Sequence, residues 1–130
     1  MNITDNRISG IKRFGKAVRY ALDGLFYLLH SEKNIRIQMV ILMIAILAGI
    51  FLKISNSGWI AVCLSAGLVL AAESINTAIE RLSDSVSTEY NEKIKRAKDV
   101  AAAGVMITAA VSIVVGLLVF IPAILKLFHL

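Results

Sequence analysis

Three long apolar stretches dominate the chain and are separated by short polar segments. The first, residues 35–54, has about the 20 residues that a membrane-spanning helix needs. The uncharged part of the second, 58–72, gives only about 22 Å of helix, which is shorter than a hydrocarbon core of about 30 Å. We therefore expect the second span to continue through Glu73 and cover 58–80. The third stretch covers 100–125, so the pattern predicts an all-α polytopic membrane protein.

The segment before the first span has a different pattern. In residues 7–30 apolar side chains recur at helical spacing on one face, while lysines and arginines fall largely on the other. This pattern predicts an amphipathic helix that lies in the membrane interface, with its basic residues near lipid phosphates. We expect a single domain over 1–130, composed of this surface helix and the three spans.

Composition and charge position support a membrane protein over a nucleic-acid binder. The chain is 58% hydrophobic, above the roughly 45–50% of soluble domains, and its net charge is +5. Of the 14 basic residues, only Lys53 and Lys126 fall outside the segments before residue 37 and between 81 and 98. By the positive-inside rule, the N-terminus and the loop after the second span lie in the cytoplasm, and the C-terminus lies outside.

An acidic stripe marks the second span. Glu73, Asn76, Glu80 and Asp84 follow one another at spacings of three, four and four residues, so they share one side of a helix. A charged residue at mid-bilayer costs about 2.5–3.5 kcal/mol on insertion scales, and such residues are functional candidates by default. Two acids on one face suit a divalent cation, or a general base beside a metal-binding carboxylate. The spacing alone leaves both open, and also leaves open helix–helix packing and a proton-coupled transporter that uses Glu73.

The third span carries a ridge of small residues that lets helices approach closely. Its members recur at every fourth position: Gly104, Thr108, Ser112 and Gly116. Three spans in one chain offer little material to shelter Glu73 from lipid. On these grounds the sequence predicts an oligomer.

Two motifs make the chain recognisable. ESINTAIERLSD at 73–84, followed by RAKDVAAAGV at 96–105, resembles the prokaryotic diacylglycerol kinase family, which includes the undecaprenol kinases. The resemblance covers most of the chain. It implies a homotrimeric lipid kinase of the bacterial plasma membrane, with cytoplasmic active sites shared between subunits. It also implies MgATP as phosphoryl donor, and the chain indeed has no P-loop motif that would cradle phosphates.

The resemblance assigns roles residue by residue. It implies that Glu73 is the general base and that Glu32 and Glu80 bind the catalytic Mg²⁺. Asn76 and Asp84 would support the site. The implied nucleotide-binding residues are Arg13, Lys16, Tyr20, Glu89, Tyr90, Asn91, Lys98 and Asp99. The implied lipid-substrate residues are Asn34, Ile35, Arg36, Ile37, Gln38 and Ala102.

The sequence gives divided indications about the lipid. Ala102 stands where diacylglycerol-specific members have a serine, and the end of the third span resembles the undecaprenol kinases. The loop TEYNEKIKRAKD at 88–99 instead resembles the diacylglycerol branch. We therefore expect ATP-dependent phosphorylation of either diacylglycerol or undecaprenol.

Overall fold

The computed structural model describes residues 3–87 and 89–128, and the regular structure in these ranges is helical. The C-terminus, which we predict to lie outside the cell, falls beyond the described residues. The four helices are α1 (Ile3–Ser31), α2 (Lys33–Phe51), α3 (Asn56–Val86) and α4 (Glu92–Leu127). The chain divides into two compact units, Met1–Arg36 and Ile37–Leu130.

The first unit consists mainly of α1. Within a single chain its apolar side chains are largely exposed, including Phe14, Leu22 and Phe26. Arg19 lies 4.0 Å from Asp23 on an exposed face. The helix ends where the Ser31 hydroxyl donates to the Tyr27 carbonyl oxygen at 2.9 Å. That α1 is amphipathic and lies in the membrane interface stays a prediction.

Helices α2, α3 and α4 are each long and apolar enough to cross a membrane, as expected. At 36 residues, α4 would measure about 54 Å and exceed the hydrocarbon core. Its start at Glu92 and the end of α3 at Val86 both lie beyond the predicted limits of the spans, 100 and 80. The sequence pattern marked the apolar cores, whereas the polar ends continue as helix.

Helix α2 ends at Phe51, before the predicted limit of 54, and the backbone shows why. Lys53 has a φ of 52°, the left-handed conformation. Its N–H donates to the Ile50 carbonyl at 3.3 Å, and the Ile54 N–H donates to the Gly49 carbonyl at 3.1 Å. These two bonds form a Schellman motif, which closes a helix by satisfying its last carbonyl groups.

Helices α3 and α4 pack antiparallel in the second unit. Gly58, near the start of α3, approaches Val119 near the end of α4, so that a Cβ there would lie 3.3 Å from Val119 Cγ1. At the opposite end Lys98 of α4 lies beside Asp84 of α3. The side of α3 that is buried follows a helical repeat: Gly58, Val62, Ser65, Val69, Glu73, Asn76 and Thr77. We call this set the buried stripe.

Candidate functional site

The second half of the buried stripe is polar. Glu73 and Thr77 are each 4% exposed, and Asn76 is 8% exposed. They lie three or four residues apart and therefore continue the side of α3 that buries Val62 and Val69 in its first half. Folding thus places a carboxylate, an amide and a hydroxyl where packing alone would favour apolar side chains.

Glu73 is buried without a described partner. Within residues 3–87 and 89–128 its carboxylate has no hydrogen bond or ion pair, which is unusual for a buried acid. The single chain already shelters this side chain. The expectation that three spans cannot do so is therefore wrong, and the burial of Glu73 does not by itself require a second subunit. An unpaired buried carboxylate lowers stability and is typical of functional sites.

Asn76 connects the buried stripe to Glu80. Its Nδ2 donates to Glu80 Oε1 at 3.1 Å, one helical turn further along α3. Its Oδ1 is buried and accepts no hydrogen bond. An unsatisfied carbonyl oxygen beside a carboxylate forms a pair of hard oxygen donors, the kind of donor that Mg²⁺ prefers. The donor chemistry suits a magnesium ion, and the binding of one here stays a prediction.

No cluster of three His, Cys, Asp or Glu side chains able to hold a metal occurs among the described residues. Sites for Mg²⁺ bound with a nucleotide do not need one, because the ion keeps waters and takes one or two carboxylates together with substrate phosphates. Glu32 directly follows α1, and its Oε1 accepts from the Ser31 hydroxyl at 3.3 Å. It belongs to the first unit, whereas Glu80 belongs to the second. Their joint binding of a metal stays a prediction.

Ion pairs hold the polar ends of α3 and α4. Lys98 Nζ lies 3.0 Å from Asp84 Oδ1 and joins the two helices. Asp99 pairs instead with Lys95, at 3.3 Å, one turn earlier on α4. Lys98 and Asp99 therefore do not pair with each other. Asp84, Lys95 and Asp99 are largely exposed, and the Lys98 side chain is 37% exposed, which leaves this region accessible to a charged ligand.

The other predicted nucleotide residues lie on exposed surfaces. Arg13, Lys16 and Tyr20 are exposed on α1, in the first unit. In the connection between α3 and α4, Tyr90 is 82% exposed. Glu89 is also exposed, and its backbone N–H donates to Ser87 Oγ at 3.1 Å. Asn91 caps α4, because its Oδ1 accepts from the N–H groups of Lys93 at 2.9 Å and Ile94 at 3.4 Å.

The predicted lipid-substrate residues lie in the first turns of α2, except Ala102, which lies on α4. Asn34, Arg36 and Ile37 are exposed, whereas Ile35 is buried. Gln38 is half-buried, and its Oε1 has no hydrogen-bond partner. It lines an apolar cavity of about 370 Å³ between α2, α3 and α4. Ala102 is exposed on α4.

Two features were not anticipated from sequence. Thr77 is as buried as Glu73 and lies one turn after it, a position that the i+4 spacing from Glu73 could have indicated. The capping role of Asn91 could also have been read from sequence, since asparagine before a helical pattern with Glu92 next is a typical start signal.

Comparison with known proteins decides the family. The family model of prokaryotic diacylglycerol kinase matches residues 19–120. The chain belongs to the prokaryotic diacylglycerol kinase family. An undecaprenol kinase of Bacillus subtilis is 30% identical over 94% of this chain and 98% of its own length. A diacylglycerol kinase of Synechocystis is 33% identical over 84% of this chain and 63% of its own length. A diacylglycerol kinase of Escherichia coli is 30% identical over 84% and 89%.

Membership in the prokaryotic diacylglycerol kinase family indicates a lipid kinase of the diacylglycerol or undecaprenol type. With three helices able to cross a membrane, the chain fits a bacterial membrane protein. The comparisons lend no support to the proton-coupled transporter considered from sequence. The relatives carry both lipid names at similar identity, so identity does not separate the two substrates.

Proposed function

We propose that this protein transfers the γ-phosphoryl group of ATP to the hydroxyl of a membrane lipid alcohol, either diacylglycerol or undecaprenol. The observation that carries the proposal is the polar half of the buried stripe. There an unpaired buried carboxylate, Glu73, lies one to two turns before the linked pair Asn76 and Glu80. A lipid kinase needs a base at membrane depth and a metal-binding group toward the interface, and this order along α3 supplies both.

Glu73 is the proposed general base. It takes the proton of the lipid hydroxyl while the hydroxyl oxygen forms a bond to the γ-phosphorus and the bond from that phosphorus to ADP breaks. Its burial excludes water that would otherwise compete as acceptor. The absence of a described partner leaves its carboxylate available to the incoming hydroxyl.

Glu80 and Glu32 are the proposed ligands of Mg²⁺, and Asn76 orients Glu80 through the 3.1 Å hydrogen bond. When bound, the ion neutralises negative charge on the phosphates. Basic side chains do the rest of the positioning. We propose that Arg13, Lys16 and Lys98 contact the phosphates and that Asp84 orients Lys98 through their 3.0 Å ion pair. Asp99 supports the same region, and the adenosine part lies near Tyr20 and the exposed residues Glu89, Tyr90 and Asn91.

The lipid reaches the site from the membrane. We propose that its polar end lies near Asn34, Ile35, Arg36, Ile37, Gln38 and Ala102. The unsatisfied oxygen of Gln38 supports this placement, because it offers an acceptor beside an apolar cavity. The charge distribution supports a cytoplasmic site and an external C-terminus in the bacterial plasma membrane.

A homotrimer with shared active sites is part of the proposal. Its support is the family resemblance and the small-residue ridge of α4. A Cβ added at Gly104 would meet nothing within 4 Å in the single chain, so this part of the ridge has room for another subunit. Crosslinking in membranes, read as the ratio of monomer to trimer bands, tests the assembly.

The test of function is a side-by-side assay in mixed micelles with purified protein and γ-labelled ATP. We expect labelled phosphatidic acid from diacylglycerol, or labelled undecaprenyl phosphate from undecaprenol, only when Mg²⁺ is present. The preferred alcohol is the one with the higher kcat/KM. Folded protein that labels neither alcohol would refute the proposed function.

A further inference from the structure

Two lysines lie far along the sequence from the residues of the proposed kinase site, and the fold brings them together. Lys53 and Lys126 are the two basic residues that lie away from the basic segments of the sequence. Lys53 follows α2, and Lys126 lies in the last turn of α4. Both line one cavity of about 650 Å³ in the second unit. This volume is within the range of ligand sites in proteins, about 300–1,000 Å³.

The cavity combines a cationic part with an apolar wall. Besides the two lysines, Ser55 and Ser57 line it with hydroxyl groups 2.9 Å apart. Much of the remaining lining is apolar and comes from the connection after α2 and the end of α4, including Leu52, Leu118, Val119 and Leu127. Such a lining suits a ligand that carries an anionic group and a hydrocarbon chain on the same molecule.

No carboxylate side chain balances the two lysines. All nine acids of the chain lie at or before residue 99. Along α3 the first acid after Gly58 is Glu73, 15 residues or about 22 Å away, well beyond the roughly 8 Å screening length of physiological salt. Neither lysine forms an ion pair with a described residue. Among the described residues, the two lysines of the cavity therefore have no carboxylate partner.

Helix ends explain part of this arrangement. The cavity contains one positive helix end, the start of α3, and two negative ends, those of α2 and α4. Lys126 has a local reason for its place, since a cation is favourable in the last turn of α4. Lys53 follows the negative end of α2, where a cation is also favourable, but its left-handed position favours glycine, and other residues there cost roughly 1–2 kcal/mol.

We propose that this cavity binds the phosphate of an anionic phospholipid, whose chain lies against Leu118, Val119 and Leu127. The site is distinct from the proposed kinase site, because it lies at the end of the second unit remote from Asp84 and Lys98. About 40 Å of α3 separates Ser57 from Asp84. The bound lipid links the ends of α2, α3 and α4 in the leaflet opposite to the catalytic one.

The chain contains its own local reporter for this site. Trp59 is the single tryptophan of the chain, and its neighbour in sequence, Gly58, lines the cavity. Lipids with brominated chains quench tryptophan fluorescence at short range. Lipid attracted to the basic residues at the other end of α3 is too far away to quench. Quenching of Trp59 by brominated phosphatidylglycerol, against brominated phosphatidylcholine with the same chains, therefore measures binding here.

For the unmodified full chain in mixed micelles, we expect phosphatidylglycerol to be preferred roughly tenfold, as two lysines near an anionic headgroup imply. The double variant Lys53→Asn with Lys126→Gln should reduce the preference to about equal binding. Asparagine tolerates the left-handed conformation, so this change removes charge without adding backbone strain. The control Lys12→Gln with Lys93→Gln removes the same charge elsewhere and should keep the preference.

Quenching by phosphatidylcholine shows whether each variant keeps Trp59 in its native surroundings, and only variants that match the unmodified chain are compared. If quenching by phosphatidylcholine in the Lys53/Lys126 double variant differs from that in the unmodified chain, the single variant Lys126→Gln, which leaves the turn intact, takes its place. This single variant should lose about half of the preference for phosphatidylglycerol on a logarithmic scale. A full preference in the variant that lacks these charges would overturn the proposal. So would displacement of brominated phosphatidylglycerol by inorganic phosphate as effectively as by unbrominated phosphatidylglycerol, since that result indicates a free-anion site.

Discussion

The two halves of the buried stripe of α3 have the same geometry and opposite chemistry. In the first half Val62 and Val69 are 6% and 9% exposed, and the buried hydroxyl of Ser65 donates to the Val62 carbonyl at 3.1 Å. In the second half Glu73 is 4% exposed without a described partner, and Asn76 keeps an unsatisfied oxygen. The two halves are buried to a similar extent. The buried hydroxyl of the first half is hydrogen-bonded, whereas polar atoms of the second half lack partners among the described residues.

This difference separates packing from function within one helix. The first half contributes van der Waals contacts between helices, which is how membrane helices associate. The second half leaves buried polar groups unpaired, which lowers stability unless a substrate or ion completes them. The contrast predicts that substitutions in the first half act on stability and that those in the second half act on activity.

The largest expected effect follows from Glu73→Gln. Loss of the general base should reduce lipid phosphorylation by about 10²–10⁴-fold, because the amide cannot accept the hydroxyl proton. The rate is measured with γ-labelled ATP at equal amounts of folded protein. Glu92→Gln is the matched control, since Glu92 is exposed and pairs with Arg96 on its own helix. Near-normal activity of the Glu73→Gln variant would show that Glu73 is not the general base.

A smaller effect is expected from Asn76→Ala, which removes the hydrogen bond to Glu80 and the unsatisfied Oδ1. Loss of an orienting partner typically weakens metal affinity about 10–100-fold. The Mg²⁺ concentration for half-maximal activity should rise by that factor, while the maximal rate recovers at high Mg²⁺. Ser65→Ala, in the apolar half, should leave this concentration unchanged. An unaltered Mg²⁺ dependence of the Asn76 variant would contradict the role given to Asn76.

In the apolar half, Gly58→Ala tests close packing of α3 against α4. The new Cβ would lie 3.3 Å from Val119 Cγ1, which requires the neighbour to shift, so Gly58→Ala should have a lower unfolding free energy than Gly67→Ala. Gly67→Ala, on the same helix, meets nothing within 4 Å in the single chain and should not lower stability. Unfolding in mixed micelles with increasing detergent measures both. A loss at Gly67 would show instead that another subunit occupies that space.

The smallest effect concerns the ion pair of Asp84 and Lys98. Their side chains are 65% and 37% exposed, so a double-mutant cycle with Asp84→Asn and Lys98→Gln should give a coupling of at most about 1 kcal/mol in stability. The same variants should raise the KM for ATP if Lys98 contacts phosphate. A coupling of several kcal/mol would assign the pair a structural role instead.

Much of this contrast was predictable from residues and their spacing. The apolar runs gave three of the helices, and the spacing of Glu73, Asn76 and Glu80 gave the shared side of α3. The end of α2 was not predictable, because a lysine in the left-handed conformation is rare and gives no sequence signal. The prediction that a single chain cannot shelter Glu73 was wrong, since the sequence does not show how closely α3 and α4 pack. The pairing of Lys98 with Asp84 rather than Asp99 likewise depends on the antiparallel register of two helices.

The most direct test of the account measures stability and lipid phosphorylation together on two variants, Glu73→Gln and Val69→Ala. The account predicts opposite outcomes. Glu73→Gln should lose phosphorylation and keep or gain stability, because it removes an unpaired buried charge. Val69→Ala should lose about 1 kcal/mol of unfolding free energy and keep its rate per folded molecule. If Val69→Ala lost activity while folded, or Glu73→Gln unfolded the protein, the division of α3 into a packing half and a catalytic half would be contradicted.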